Sequence, residues 1–206
     1  VTQPDLSKIE VGETRQRSWH DHYTMLLKEA EESNGEEDNM LAEYARQQLH
    51  YVDSVDQSLK DAAGANGEDG DDGEDSFIGY KYTNIRYESV DQNGNPVKLS
   101  ELIVYPYQAG KKTSVEVRNI VIGCHVTITS NFERPSNYAK LNLTTDVGML
   151  ACHAMVQNIT QGLQENPVYS NLVVMPDYQG YGATSSTAHP YLYQTLTARQ
   201  VVDGTL

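Results

Sequence analysis

Two apolar runs, "VRNIVIGCHV" at 117–126 and "NLVVMP" at 171–176, dictate most of what this chain can fold into. Nearly continuous runs of β-branched residues read as strands covered on both faces, as a parallel sheet requires. Between them Thr145 or Asp146 can cap a helix carrying Val147, Leu150, Ala151, Ala154, Met155 and Ile159, with Gly162 as its stop. Strand, helix and strand in that order make a right-handed crossover between parallel neighbours. If the second run were the outermost strand, its apolar flank would be an open, aggregation-prone edge.

The flanking sequence extends the sheet. "FIGYKYTNIRYESV" (77–90) and "VKLSELIVYPY" (97–107) alternate and are rich in aromatic and β-branched residues, so they read as strands. Asp91-Gln92-Asn93-Gly94-Asn95-Pro96 joins them through Asn-Gly, whose residues both accept positive φ, and this predicts an antiparallel hairpin. Residues 192–206 read as a helix. The fold class expected is therefore α/β: an antiparallel hairpin, then parallel strands with crossover helices.

The region before Phe77 has a different character. Trp19, Tyr23, Leu26, Leu27 and Ala30 follow helical spacing, and Met40, Leu41, Tyr44, Ala45, Leu49, Val52 and Leu59 follow it again after Ser33-Asn34-Gly35. Residues 1–60 are thus expected to hold a helical hairpin, 61–76 an acidic Gly-rich linker, and 77–206 the α/β part. Within the linker Asp69, Asp71, Glu74 and Asp75 are hard oxygen donors, but their order does not match an EF-hand loop, and a solvated loop is the preferred reading.

Charge sorts the partners. Residues 1–76 carry 20 acidic and 6 basic side chains, whereas 77–206 carry 9 of each, so the whole net charge of −14 lies in the first third. That field repels nucleic acid and anionic membrane surfaces. No run of about 18 apolar residues is present to span a bilayer. Cys124 and Cys152 are too few for a disulfide scaffold and read as buried free thiols, a bond between them being the lesser reading; abundant Tyr, Asn, Gln and Thr favour an exported protein, whether secreted, periplasmic or in the cell envelope. The sequons at Asn142 and Asn158 are taken as chance matches.

In an open α/β sheet the ligand site lies at the carboxyl ends of the strands, which points to two loops. The first begins Cys124-His125-Val126-Thr127; the second is Pro176-Asp177-Tyr178-Gln179-Gly180-Tyr181-Gly182. The other histidines offer less: His20 and His22 lie two apart on a helix and cannot face one metal, and His50, His153 and His189 stand alone. No metal and no cofactor is expected.

A hairpin, a strand ending in His-x-Thr, a helix, a strand ending in Pro-Asp-Tyr-x-Gly-Tyr-Gly, and then His-Pro-Tyr-Leu with a Val-Val-Asp-Gly helix together resemble the front half of an α/β-hydrolase, most of all its secreted lipase-like or esterase-like members. The resemblance covers about residues 77–206. It implies that the loop after the third core strand supplies a backbone N–H of an oxyanion hole, often through a His-Gly-x run. Here Val126 stands in place of the glycine and Thr127 takes the donor position, with Val126 as second candidate and His125 as loop support. It further implies that Asp177, with Gly180 and Gly182, braces the site and is not the triad acid. The nucleophile elbow of the family, Gly-x-Ser-x-Gly, does not occur in residues 1–206, so nucleophile, acid and histidine are expected beyond Leu206.

The resulting expectation is the front half of a serine hydrolase for a small-molecule or lipid carboxylic ester, inactive by itself and partnered by the carboxyl-terminal half of its domain. Amide or peptide cleavage ranks below ester cleavage. The helical hairpin would be either a cap or pro-segment over the site or a layer packed at the sheet's edge. The alternative is a non-catalytic α/β binding or interaction module that displays the acidic hairpin.

Overall fold

The computed structural model describes residues 6–33, 35–65, 77–109, 116–165, 169–191 and 193–205. The calcium reading of Asp69, Asp71, Glu74 and Asp75 lies outside the described residues. Strands β1 (Glu10–Val11), β2 (Arg15–Ser18), β3 (Ile78–Val90), β4 (Pro96–Gln108), β5 (Glu116–Ile122) and β6 (Tyr169–Pro176) form one sheet in the order β1-β3-β4-β6-β5, with β2 also on β3. Helices α1 (Trp19–Ser33), α2 (Glu36–Ala65), α3 (Asp146–Glu165) and α4 (Gln194–Thr205) complete it. Among the described residues no helix is long and apolar enough to cross a membrane.

The hairpin and the crossover form as their sequences imply. β3 and β4 pair antiparallel from Ile78↔Gln108 to Val90↔Pro96, around a turn with Gly94 at φ +82°. β5 and β6 pair parallel, Ile120↔Leu172 and Ile122↔Val174 among them, and α3 supplies the crossover. α3 starts on Thr145, whose hydroxyl accepts the Gly148 N–H at 3.3 Å, and it runs past Gly162 to Glu165.

Two expectations about the sheet are corrected. β6 is not its outermost strand: it lies between β4 and β5, and β5 holds the edge. The 117–126 run is also not covered on both faces, because Val117, Ile120 and Ile122 are 41%, 59% and 43% exposed, while Val121 packs on the core. Continuous apolarity tells that both faces can be buried. It does not tell which helix arrives: α4 packs on β3 and β6 and leaves this flank open.

The amino-terminal stretch is built into the same sheet. β2 pairs with β3 through Arg15↔Tyr82 to Ser18↔Gly79, and α1 lays Trp19, Tyr23 and Leu26 on the sheet face that also carries α3. The helical hairpin packs on that face through Trp19, Tyr23, Leu26, Ala45 and Val52, while β1 and β2 extend the sheet beyond β3. α2 continues to Ala65, five residues into the expected linker, because Ala62, Ala63 and Ala65 are strong helix formers that tolerate Gly64 between them.

A polar chain runs through this core. Burial lowers the His22 pKa to about 3 and raises the Cys152 thiol to about 12, so the imidazole is neutral and the thiol protonated. Cys152 Sγ lies 3.3 Å from His22 Nε2, and His22 Nδ1 lies 2.8 Å from the Tyr80 hydroxyl. Tyr80 meets Tyr138 at 3.3 Å and also accepts from Arg17 at 3.2 Å. With S–H to Nε2, Nδ1–H to Tyr80 and Tyr80 O–H to Tyr138, each contact has one donor and one acceptor, and the reverse direction does the same. His22 is thus a packed core histidine, and Cys152 a buried thiol as expected. Cys124 is likewise unbonded but exposed, a correction that follows from the open flank of β5.

Candidate functional site

Because β5 and β6 are parallel neighbours, the loops that leave their carboxyl ends emerge side by side. The Gly123 N–H still bonds the Val174 carbonyl at 2.8 Å, after which the chains separate. They are then tied across by side chains. The Tyr181 hydroxyl donates to the Ile128 carbonyl at 2.8 Å, and the Gly182 N–H donates to Asn131 Oδ1 at 2.9 Å. His125 Nε2 also lies 3.4 Å from the Asp177 carbonyl oxygen, a contact that is not a hydrogen bond when the imidazole proton is on Nδ1.

Asp177 sits at the centre of the second loop with no exposed surface. Its Oδ2 accepts from Ser100 Oγ at 2.5 Å, and its Oδ1 accepts the Ser136 N–H at 2.8 Å. The same Ser100 hydroxyl accepts the Ala183 N–H at 2.9 Å. Burial raises the Asp177 pKa, and the hydrogen bonds from Ser100 and Ser136 oppose that rise. One carboxylate thereby joins β4, the 131–140 segment and the turn after β6.

That turn is left-handed at three places. Gly180 has φ +95°, Gly182 φ +55° and Tyr178 φ +65°, the last an unusual conformation for a side-chain-bearing residue. A Cβ on Gly182 would stand 2.0 Å from Asp177 Oδ2 and 2.1 Å from Ser100 Oγ, and one on Gly180 would meet the His189 backbone at 2.7 Å. Only glycine lets the backbone wrap this closely around the carboxylate and the returning 189–191 segment.

In the first loop, His125 Nδ1 lies 2.6 Å from the Val126 carbonyl oxygen, which requires the proton on Nδ1. In a trans peptide the C=O and the following N–H point in opposite directions. The bond that draws the Val126 carbonyl toward His125 therefore turns the Thr127 N–H away from it. Val126 is 66% exposed and Thr127 is exposed, and the N–H of neither bonds any described residue. Further along, Glu133 Oε2 accepts the N–H groups of Thr129 at 2.9 Å and Ser130 at 3.0 Å, which hold its carboxyl below the usual range.

Five rings gather around these loops. His125 packs on Tyr178 with centroids 4.4 Å apart and the rings tilted by 36°; Tyr181 and His189 are 5.4 Å apart, and His189 meets Tyr191 edge-on at 4.2 Å. His189, solitary in the sequence, donates from Nδ1 to the Gln179 carbonyl at 2.5 Å. The structure therefore brings His125, Val126, Thr127, Asp177, Gly180 and Gly182 to one end of the sheet and adds Ser100, Ser136, Tyr178, Tyr181, His189 and Tyr191. The density of Tyr and His in 178–193 hinted at the four ring-bearing members of the latter group, and no sequence signal marked Ser100 or Ser136. Beside the loops Cys124 and Tyr178, which follow the strand ends, Tyr193 just before α4, and Ala198, Val201 and Val202 of α4 line an apolar groove of about 510 Å³. Among the described residues no group of three or more His, Cys, Asp or Glu could hold a metal ion.

Sheet and site define a mixed α/β protein whose candidate site lies at the carboxyl ends of two parallel strands. Similar solved structures include a candidate hydrolase from Legionella pneumophila, with a TM-score of 0.43 and 21% identity over 62% of this chain and 29% of that one. They also include the rice cell wall degrading esterase LipA from Xanthomonas oryzae, with a TM-score of 0.34 and 16% identity over 70% of this chain and 31% of that one. The chain spans less than a third of the length of either. No protein-family model matches the sequence, and no curated protein matches it.

Proposed function

We propose that this chain is the front half of an α/β-hydrolase-type serine esterase, exported from the cell, whose nucleophile, acid and histidine lie beyond Leu206. The observation that carries the reading is the Thr127 N–H in the loop after β5, which bonds no other described residue, is turned away from His125 by the bond to the Val126 carbonyl, and stands beside the Asp177 turn. In acyl transfer, negative charge develops on the former carbonyl oxygen of the ester, and a fixed N–H dipole stabilises it without having to reorganise. The Val126 N–H is the second candidate donor. Asp177, fully engaged with Ser100 and Ser136, serves as the brace that keeps the two loops together.

The open edge supports the second part of the reading. β5 offers an edge that no strand among the described residues pairs, and the exposed Val117, Ile120 and Ile122 on one face. A further parallel strand followed by an apolar helix face would cover both at once, and its carboxyl end would emerge beside Thr127. That is where a nucleophile must stand to share a tetrahedral centre with this donor.

Treating the full-length protein with a fluorophosphonate is expected to label a serine outside residues 1–206. Failure to label, with no hydrolysis of p-nitrophenyl acetate, would overturn the assignment. Within this chain, Thr127→Pro deletes the N–H and is expected to lower kcat by about 10²–10³ with KM little changed, whereas Thr127→Val keeps the N–H and the rate. Equal rates in the two folded variants would remove Thr127 from the oxyanion hole.

A further inference from the structure

We infer that Tyr181 is a positioning residue for the Thr127 donor, acting through the Ile128 carbonyl. The inference rests on the oxyanion reading of Thr127 above and adds to it the residue that fixes the loop from the other side.

Thr127 lies between two peptide planes that are anchored separately. The upstream plane, Val126 C=O with Thr127 N–H, is set by His125 Nδ1–H at 2.6 Å. The downstream plane, Ile128 C=O with Thr129 N–H, is held at both ends: Tyr181 donates to the carbonyl at 2.8 Å and Glu133 accepts the N–H at 2.9 Å. Only the peptide between them, Thr127 C=O with Ile128 N–H, makes no bond to a described residue. With both flanking planes pinned, its torsions have little freedom, and the Thr127 N–H keeps one direction. Removing the downstream anchor leaves a buried carbonyl unpaired at Ile128, which is 5% exposed, and the segment relaxes toward a new partner.

Tyr181 is suited to this task by its surroundings. Its hydroxyl lies 3.0 Å from that of Tyr191. Since its one proton goes to Ile128, Tyr191 must donate to it, and a chain Tyr191 to Tyr181 to Ile128 results in which each bond polarises the next. Burial, with Tyr191 as the second cause, raises the Tyr181 phenol to about 12, so the donor keeps its proton throughout the neutral range. The ring also lies 5.4 Å from His189 and 6.3 Å from His125, so it joins the upstream and downstream anchors through one aromatic group.

The test is Tyr181→Phe in the full-length protein, which removes one hydroxyl and keeps the ring contacts. The expected result is a displaced Thr127 amide resonance in the 1H–15N spectrum together with a fall in kcat of about tenfold on p-nitrophenyl acetate at unchanged KM. An unmoved Thr127 amide overturns the positioning role whatever the enzyme does. A displaced amide with unchanged kcat overturns the oxyanion reading on which the inference rests. A loss of rate that only follows a smaller folded fraction, read from the same spectrum, also overturns it.

Discussion

Replacing Gly182 by alanine is expected to destabilise the protein by more than about 4 kcal/mol and to lower its Tm by at least ~10 °C. Two costs combine. The first is conformational: at φ +55° an L side chain collides with its own backbone, at roughly 1–2 kcal/mol. The second is larger. The new methyl would lie 2.0 Å from Asp177 Oδ2 and 2.1 Å from Ser100 Oγ, distances no Cβ tolerates, so either the turn opens or the carboxylate moves. Asp177 cannot move freely, because Ser100 and the Ser136 N–H grip it from two sides and none of it reaches water. Unpairing such a buried, hydrogen-bonded carboxylate costs on the order of 3–5 kcal/mol. Thermal unfolding of Gly182→Ala beside Ala183→Gly, which adds no atoms, measures the effect. A Tm drop under 3 °C would show the turn to be more adaptable than its bonds imply.

The opposite sign is expected at Glu101. Its side chain is fully buried on β4, and neither carboxyl oxygen has a hydrogen-bond partner among the described residues. α4 lies directly on it: a Cβ on Gly204 would be 2.5 Å from Glu101 Oε2 and 2.8 Å from the Tyr87 ring. Burial, with the neighbouring Asp177 as second cause, raises the Glu101 pKa to about 8. In the unfolded chain the group ionises near its ordinary value, roughly 4.3. Between these limits the folded state holds a proton that the unfolded state has released, so stability must fall as pH rises, by up to about 1.4 kcal/mol per unit, and level off above pH 8.

Two substitutions separate the contributions. Glu101→Met removes the titration and the unpaired oxygens at nearly constant volume, and its gain over the wild type should grow by up to about 4 kcal/mol from pH 5 to pH 8. Glu101→Gln should flatten the pH dependence equally but remain the less stable variant, because a buried amide without partners still bears a desolvation cost. Denaturant titrations at pH 5, 6.5 and 8 decide the matter; parallel profiles for the wild type and Glu101→Met would refute a neutral Glu101.

The sequence located the two loops because strand ends are easy to find: a continuous apolar run stops, and the residues after it must be where the sheet opens. Asp177, Gly180 and Gly182 could be singled out by the same logic, since an Asp and two glycines at a strand end imply a tight turn around a hydrogen-bonded carboxylate. Tyr181 could not be linked to Ile128, because that bond spans 53 residues and depends on the β5–β6 register. β1 and β2 left no trace because Glu10, Val11 and Arg15 to Ser18 are polar or exposed edge positions with no alternation to read. The opposite error occurred at β5, where apolar residues outnumbered the helices available to cover them. Periodicity records what a residue prefers, whereas coverage depends on elements far away in the chain.

The contrast between the two thiols has a practical consequence. Cys152 is buried, protonated and engaged with His22, whereas Cys124 is exposed at the wall of the groove beside Tyr178. Within residues 1–206 a maleimide dye should therefore attach at Cys124 alone, at the wall of that groove. Its emission would then serve as a built-in reporter for whatever enters there.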